Sequence, residues 1–455
     1  MHQILFGDNM YRDKLPKNLV NILQDKLKGF QVFFVGGCVR DILLEKTPKD
    51  WDICTNALPE QIEQAFKGHK LNTIGKRYGT VGIKIDTDWV EITTFRKEKY
   101  TERSRKPEVS FTDIKEDLIR RDFTINALAV DVFNEHHLLD LFNGQVDLKN
   151  KILRTPRDAR DTFKEDPLRM LRMIRFCSKL GFRPTQELEK IVFDNAYRLM
   201  FISKERIQTE VSNIILGGNV KEALCLMADT RLLNFTIPEL VPLINLIQDT
   251  RFHHKDVWRH TVMVVENTPI NLELRWAALL HDIGKPYTRV IDKKGVHFYN
   301  HEDLGAEIAE AILFRLRFSK IFIYKVKRLI LEHMKPNLYT SNWSIGAIRR
   351  FKKNTADIYE DLMALSRADI TSQNPERIGR ALGKLNELKE RVANCEECAI
   401  RCPISGKEIM ERFNLPAGQL IGDLKKEVLL AIEQETIDPE IKENIFDFLE
   451  RRLQQ

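Results

Sequence analysis

Two stretches decide the fold: Val35-Gly36-Gly37-Cys38-Val39-Arg40-Asp41 and, shortly after it, Lys49-Asp50-Trp51-Asp52-Ile53. If Asp50 to Ile53 is extended, Asp50 and Asp52 project to one face, because side chains alternate along a strand. Trp51 then points the other way, into packing. Two carboxylates on one face suit a hard cation such as magnesium. Paired ions of that kind activate an attacking hydroxyl and stabilise a leaving pyrophosphate. Gly36 and Gly37 let backbone approach a triphosphate, and Arg40 is placed to pair with phosphate. A third carboxylate usually completes such a site; Glu91, in Val90-Glu91-Ile92-Thr93-Thr94-Phe95-Arg96, is the candidate, on a neighbouring strand. An isolated Asp-x-Asp is more often a solvated loop pair; the glycine element just upstream reverses that judgement. A Gly-x4-Gly-Lys-Ser/Thr loop, the common ATPase signature, is absent from the sequence.

Working outward, Gln31–Val35 is a short apolar strand broken by Gly36-Gly37, and a helix follows over Val39–Leu44. Val81–Ile85 and Val90–Phe95 pair around Asp86-Thr87-Asp88, and Ile125–Val132 is a further apolar stretch. From about Asp158 helical periodicity takes over and strand signals become rare. The expected class is α+β, a mixed head followed by an elongated all-α body. Boundaries near Leu153–Pro156, Pro238–Pro242 and Asn374–Pro375 divide the chain into a head (1–153), a helical neck (154–245), a third domain (246–375) and a helical tail (376–455).

Bulk properties agree with a soluble protein of several domains: 455 residues, 43% hydrophobic, 30% charged. The net charge of +6 is a mild signal for a nucleic-acid partner. No apolar run is long enough to span a bilayer and the start lacks a signal pattern, so a cytoplasmic protein without a membrane partner is expected. Seven cysteines do not form a disulfide framework. Nothing in the sequence specifies an oligomeric state.

The glycine turn with the aspartate pair, and Arg120-Arg121-Asp122-Phe123-Thr124-Ile125-Asn126-Ala127, resemble two motifs of the class II tRNA nucleotidyltransferases, the bacterial CCA-adding enzymes and their relatives the poly(A) polymerases. The resemblance covers head, neck and much of the body. It implies a polymerase-β-like head with a mixed sheet, magnesium on Asp50 and Asp52, and tRNA, CTP and ATP as partners. It further implies a nucleotide site holding Gly36, Gly37, Arg40, Arg121 at the triphosphate, Asp122 at the ribose, and Asn126 within the same motif.

Glu165-Asp166-Pro167-Leu168-Arg169 matches the motif with which that family reads the incoming base. Cytosine and adenine each offer an amino donor beside a ring-nitrogen acceptor. An aspartate accepts from the first and an arginine donates to the second. Uracil and guanine present the reverse and leave both groups mispaired, at roughly 1–3 kcal/mol per buried group. On a helix Asp166 and Arg169 share a face. Asp-Pro is equally a helix-capping pair, and Arg169, Arg172 and Arg175 equally a solvated stripe; the family match favours base reading, with Arg172 adding phosphate or tRNA contacts.

In the body, Leu279-Leu280-His281-Asp282-Ile283-Gly284-Lys285 resembles the signature of HD-domain phosphohydrolases. That resemblance implies a metal on His260, His281, Asp282 and a later aspartate, for which Asp369 is the candidate; His301 and His333 are further ligands or phosphate contacts. Imidazole with carboxylate suits a divalent transition metal. The other reading is a degenerate scaffold that contacts tRNA.

The primary expectation is a tRNA nucleotidyltransferase that adds CCA. Alternatives are an enzyme adding only the terminal A, a poly(A) polymerase, a dedicated HD phosphohydrolase and a silent tRNA-binding protein. Gly75-Lys76-Arg77-Tyr78-Gly79 resembles the tRNA-specific branch, and the span Arg96–Phe111 has the length of a full flexible loop, although Thr101-Glu102-Arg103-Ser104-Arg105-Lys106 departs from its usual form. The set Cys395, Cys398 and Cys402 lacks an obvious fourth zinc ligand. The basic run Arg349–Lys353 and the cluster Lys320, Lys325, Lys327 and Arg328 read equally as RNA contacts or solvated helix faces.

Overall fold

The computed structural model describes residues 11–99, 108–134, 136–247, 256–293, 295–372, 374–395, 402–433, 436–438 and 441–454. The chain divides between Val241 and Pro242 into two compact units.

In the first unit, β1 (Val32–Val35) is buried at every position, as a central strand requires. It lies between β2 (Asp52–Thr55) and the later strand Leu128–Asp131, antiparallel to both. Beyond β2 come β3 (Leu71–Asn72), β4 (Thr80–Ile85) and β5 (Asp88–Thr94), in the spatial order β3-β4-β5-β2-β1. β4 and β5 form the expected hairpin, Ile85 opposite Asp88. β2 and β5 are parallel, which makes the sheet mixed and sets Asp52 directly beside Glu91. β6 (Arg96–Lys99) and β7 (Glu108–Phe111) form a separate ribbon; the loop segment Thr101–Lys106 lies outside the described residues. β8 (Leu128–Asp131) and β9 (Leu138–Asp140) complete the seven-stranded sheet.

Two local expectations change. β2 begins at Asp52, and Asp50 lies in a bend before it. The reason is its partner: Phe34 pairs with Ile53, and beyond Val35 the chain turns at Gly36, so Asp50 and Trp51 have no β1 residue to pair with. The stretch Ile125–Val132 also divides, into a 3-10 turn, Thr124–Asn126, and β8.

Helices Ala159–Glu165 and Leu168–Leu180 follow the sheet. The second buries Leu171, Met173, Ile174 and Cys177, packs on helices Lys204–Ile215 and Val220–Asp229, and ends at Gly181 in a left-handed cap. Asp166 stands between the two helices, so it shares no helix face with Arg169.

The second unit is helical apart from one hairpin, Arg289–Asp292 with Gly295–Phe298, among the described residues. Its segment 404–449 has its own apolar cluster, including Ile409, Val428, Ile445 and Leu449, all fully buried. No described helix is long and apolar enough to cross a membrane.

Candidate active site and metal centre

A cavity of about 830 Å³ opens at the end of β1 and β2. Gly36, Gly37, Asp50 and Asp52 line it from the sheet side, Arg121, Asp122 and Asn126 from the second motif, and Asp166, Arg169 and Arg172 from the helices. Glu91 lies beside Asp52 in register. Burial raises the Asp52 carboxyl above its ordinary value; Arg121 opposes this, while repulsion from Asp50 and Glu91 adds to it. Three acids that repel one another are the donor set a hard cation neutralises.

Gly36 is required twice over. Its φ of 77° and ψ of −130° belong to a region essentially reserved for glycine. A Cβ there would also sit 2.9 Å from Arg121 Nη1 and 3.6 Å from an Asp52 carboxylate oxygen. The glycine thus lets a cation-bearing arginine and a carboxylate converge over bare backbone.

Behind this face stands a residue the sequence reading passed over. Asp117 is fully buried and accepts from Arg120 at 2.7 Å and Arg121 at 3.0 Å, through different oxygens. Although burial pushes its carboxyl up, the two guanidiniums hold it below the ordinary value. Its spacing to the two arginines, i to i+3 and i+4, was the available signal.

A second line of hydrogen bonds runs along the cavity wall. Arg40 donates to Asp41 and, at 2.7 Å, to Asn126 Oδ1. Asn126 Nδ2 donates to Asp122 Oδ1 at 2.9 Å, and Asp122 Oδ2 accepts from Arg172 Nε at 2.7 Å. The guanidiniums of Arg40, Arg172 and Arg175 all lie over the Phe176 ring, at 5.3, 5.8 and 5.2 Å. Burial opposes ionisation of Asp122, but Arg172 and Asn126 outweigh it and hold the carboxyl at about 2, against an ordinary 3.8. The bond to Arg172 therefore stabilises the fold fully above pH 3.8 and fades as pH falls through 2. In urea titrations the stability gap between the parent and Asp122→Asn is expected to narrow by about 1 kcal/mol between pH 5 and pH 3. A gap independent of pH would sink this account.

The two groups expected to read a base are both present and both anchored. Asp166 Oδ1 accepts from Leu168 N at 3.1 Å across Pro167, which is itself the N-cap, and Oδ2 pairs with Arg206 at 2.9 Å. Arg169 is only 7% exposed and donates to the Arg120 carbonyl at 2.7 Å and the Thr162 carbonyl at 3.4 Å. It is not part of a solvated stripe. Three of its five donors remain uncommitted by these two bonds. Arg206 was not read from the sequence; it stands forty residues from its partner with no local pattern.

In the second unit, His260, His281, Asp282, His301, His333 and Asp369 converge. His281, His333 and Asp369 each cap the C-terminus of a helix, and His301 opens one. Nε2 of His260 lies 2.9 Å from Asp369 Oδ1 and 3.4 Å from Asp282 Oδ2; His281 Nε2 lies 3.2 Å from the latter atom. His301 Nε2 is 3.4 Å from Asp282 Oδ1. Nδ1 of His281, His301 and His333 faces the carbonyls of Ala278, Phe298 and Ile330 at 2.8, 2.9 and 2.6 Å. A carbonyl only accepts, so Nδ1 carries a proton and Nε2 is the atom each ring presents to the centre. Nε2 of His301 and of His333 are buried without a hydrogen-bond partner. Two ligand sets result, His260 with His281 and Asp369, and Asp282 with His301 and His333. Both fit a divalent metal. Gly284 permits the packing: a Cβ there would strike the His301 carbonyl at 2.2 Å.

Several of the remaining basic residues have partners within the protein. Lys325 and Lys327 pair with Asp361 and Glu310, Phe351 of the basic run is buried, and Lys352 bonds the Cys395 carbonyl. Cys398 lies outside the described residues.

A mixed sheet delivering acids and a glycine turn to a cavity, followed by helices and a second centre of histidines and aspartates, defines a nucleotidyltransferase with an HD domain. Family models agree: a poly(A) polymerase head domain matches residues 32–154, a probable RNA and SrmB binding site of polymerase A matches 181–244, and an HD domain matches 252–374. A CCA-adding enzyme of Staphylococcus epidermidis is 30% identical over 430 residues, 93% of this chain and 94% of its own. One from Lactococcus lactis is 30% identical across 95% of this chain and 96% of its own. Among solved structures, the Bacillus stearothermophilus CCA-adding enzyme in complex with CTP shares the fold at a TM-score of 0.65 and 24% identity, covering 96% of this chain and 97% of that one. A Thermotoga maritima CCA-adding enzyme complexed with tRNA shares it at 0.59 and 20%, over 98% of both. The chain belongs to the family of CCA-adding enzymes.

Proposed function

We propose that this chain completes tRNA 3′ ends by adding C, C and A from CTP and ATP, releasing pyrophosphate at each step. One observation carries the reading: a single cavity brings Asp50 and Asp52 together with Asp166 and Arg169. Gly36 and Gly37 offer close backbone to a triphosphate, with Arg121 beside them. Magnesium held by Asp50 and Asp52, with Glu91 behind, supplies charge stabilisation for the attacking and leaving oxygens. Asp122 and Asn126 line the wall where a ribose would rest, held there by Arg172 and Arg40. Asp166 accepts from the base's amino group and Arg169 donates to its ring nitrogen. Because Arg169 is fixed to the Arg120 carbonyl, it meets a base as a preset fork rather than a mobile chain. The division into head (1–153), neck (154–245), HD domain (246–375) and tail (376–455) is supported by the unit boundary at Val241 and by the tail's own apolar cluster. A role in tRNA processing supports a cytoplasmic location. The HD centre, with orphaned imidazole nitrogens aimed inward, supports a second, transition-metal-dependent phosphohydrolase activity.

The test uses tRNA transcripts ending before CCA, after C and after CC, each given CTP, ATP or both. Complete CCA on the shortest transcript is expected. Addition of A to the CC transcript alone would make this an A-adding enzyme, and unlimited A addition a poly(A) polymerase.

A further inference from the structure

Beside the HD centre lies a second cavity, of about 560 Å³, which nothing above employs. Its wall is formed by Asn337, Ser372, Arg377, Arg380 and Lys384 over an apolar floor that includes Pro336 and Leu385. Asn337 Nδ2 donates to Asp369 Oδ2 at 3.0 Å, on the side of that carboxylate turned away from His260. Ser372 follows Thr371, whose hydroxyl meets His260 Nδ1 at 2.8 Å. The cavity therefore adjoins two of the centre's ligands, Asp369 through Asn337 and His260 through Ser372 and Thr371.

The three cations stand on one face of helix Pro375–Ala393, spaced i, i+3 and i+7, while Leu385, Leu388 and Val392 turn inward. This helix begins where the matched HD domain ends. All three are exposed, and no carboxylate pairs with any of them among the described residues. By contrast, Lys325, Lys327 and Arg328 of the same unit each have an acidic partner. Three unneutralised charges lining one concavity cost nothing as solvated surface, but they also leave an anion site unfilled by the protein itself. They extend over about 10 Å of helix axis, more than one phosphate needs and suited to successive phosphates of a strand.

We propose that this cavity is a phosphate-binding extension of the HD centre, which takes the backbone phosphate adjoining the one held at the His/Asp cluster; its ligand class is thus a short oligoribonucleotide rather than a lone phosphate ester. The proposal rests on the phosphohydrolase reading of that cluster. Asn337 joins the two halves by orienting Asp369, and the apolar floor gives a sugar or base a surface to cover.

The experiment compares the full-length chain with Arg380→Glu/Lys384→Glu and with Arg377→Ala/Arg380→Ala/Lys384→Ala, all supplied with manganese. Two substrates are used: a 3′-phosphorylated trinucleotide and bis(p-nitrophenyl) phosphate, which carries one phosphate. For the trinucleotide, KM is expected to rise about tenfold in the charge-reversed variant with kcat little changed, and the salt dependence of log KM to lose about 0.7 units of slope, one single-strand phosphate contact, in the triple variant. Kinetics on the single-phosphate ester should not move. Unchanged trinucleotide KM, or equal loss on both substrates, overturns the proposal. If even the parent hydrolyses neither substrate, the phosphohydrolase reading fails by itself. Photocrosslinking of a 4-thiouridine trinucleotide then decides: a crosslink mapped to 375–393 that vanishes in the variants upholds the cavity as a strand site, and its absence in the parent removes it.

Discussion

Asp52→Ala, and separately Asp50→Ala, is expected to lower nucleotide addition to tRNA by at least about 10³-fold while the protein stays as stable as its parent. The stability half of this expectation separates a catalytic carboxylate from a structural one. Asp52 is held above its ordinary pKa because it is buried and because Asp50 and Glu91 repel it. In the metal-free protein its charge is a burden, so removing it relieves repulsion; Asp50 is exposed and loses no packing. The check is paired: single-nucleotide incorporation with saturating magnesium, and a thermal melt without it. A variant that melts well below the parent, or one that retains a tenth of the activity, would contradict the assignment. Hydrolysis at the HD centre should be untouched by either substitution, and Asp282→Ala should show the converse.

Asp117→Ala is expected to destabilise the first unit by about 3–5 kcal/mol, the cost of leaving buried positive charge without its counter-ion. Asp117 also receives the backbone N–H of Arg96 at 3.3 Å, so one carboxylate ties a ribbon strand to both arginines of the second motif. Arg121, released from it, would no longer be fixed over Gly36, and KM for the nucleotide should rise together with the loss of stability. Urea denaturation followed beside nucleotide KM tests both parts. A stable variant with an unaltered KM would mean that Arg121 is positioned by something else.

The parts of the molecule that were legible in sequence are those where local pattern and chemistry coincide. The apolar run before Gly36, the hairpin around Asp86 and the change to helical period after Asp158 each follow from short-range periodicity. Asp50, Asp52, Glu91, Asp166, Arg169 and the His/Asp set could be singled out because chemistry-bearing residues stood close in sequence or matched a family motif. The bend at Asp50 was not legible, because it depends on where a partner strand ends. Asp117 lay within local reach of both arginines, but its burial comes from tertiary packing. Arg206 and Asn337 meet their partners through tertiary packing across tens of residues, which no local pattern records; the i, i+3, i+7 cations of the second cavity were locally visible, but the concavity they line was not.

The line from Arg40 through Asn126 and Asp122 to Arg172 has a consequence for how such a chain drifts over evolutionary time. Each member satisfies the next, so one replacement strands a buried polar neighbour at about 1–3 kcal/mol. Four positions contributed by three distant stretches of sequence then vary as a single character. Library selections that randomise all four together should recover compensated combinations that a scan of single positions would miss.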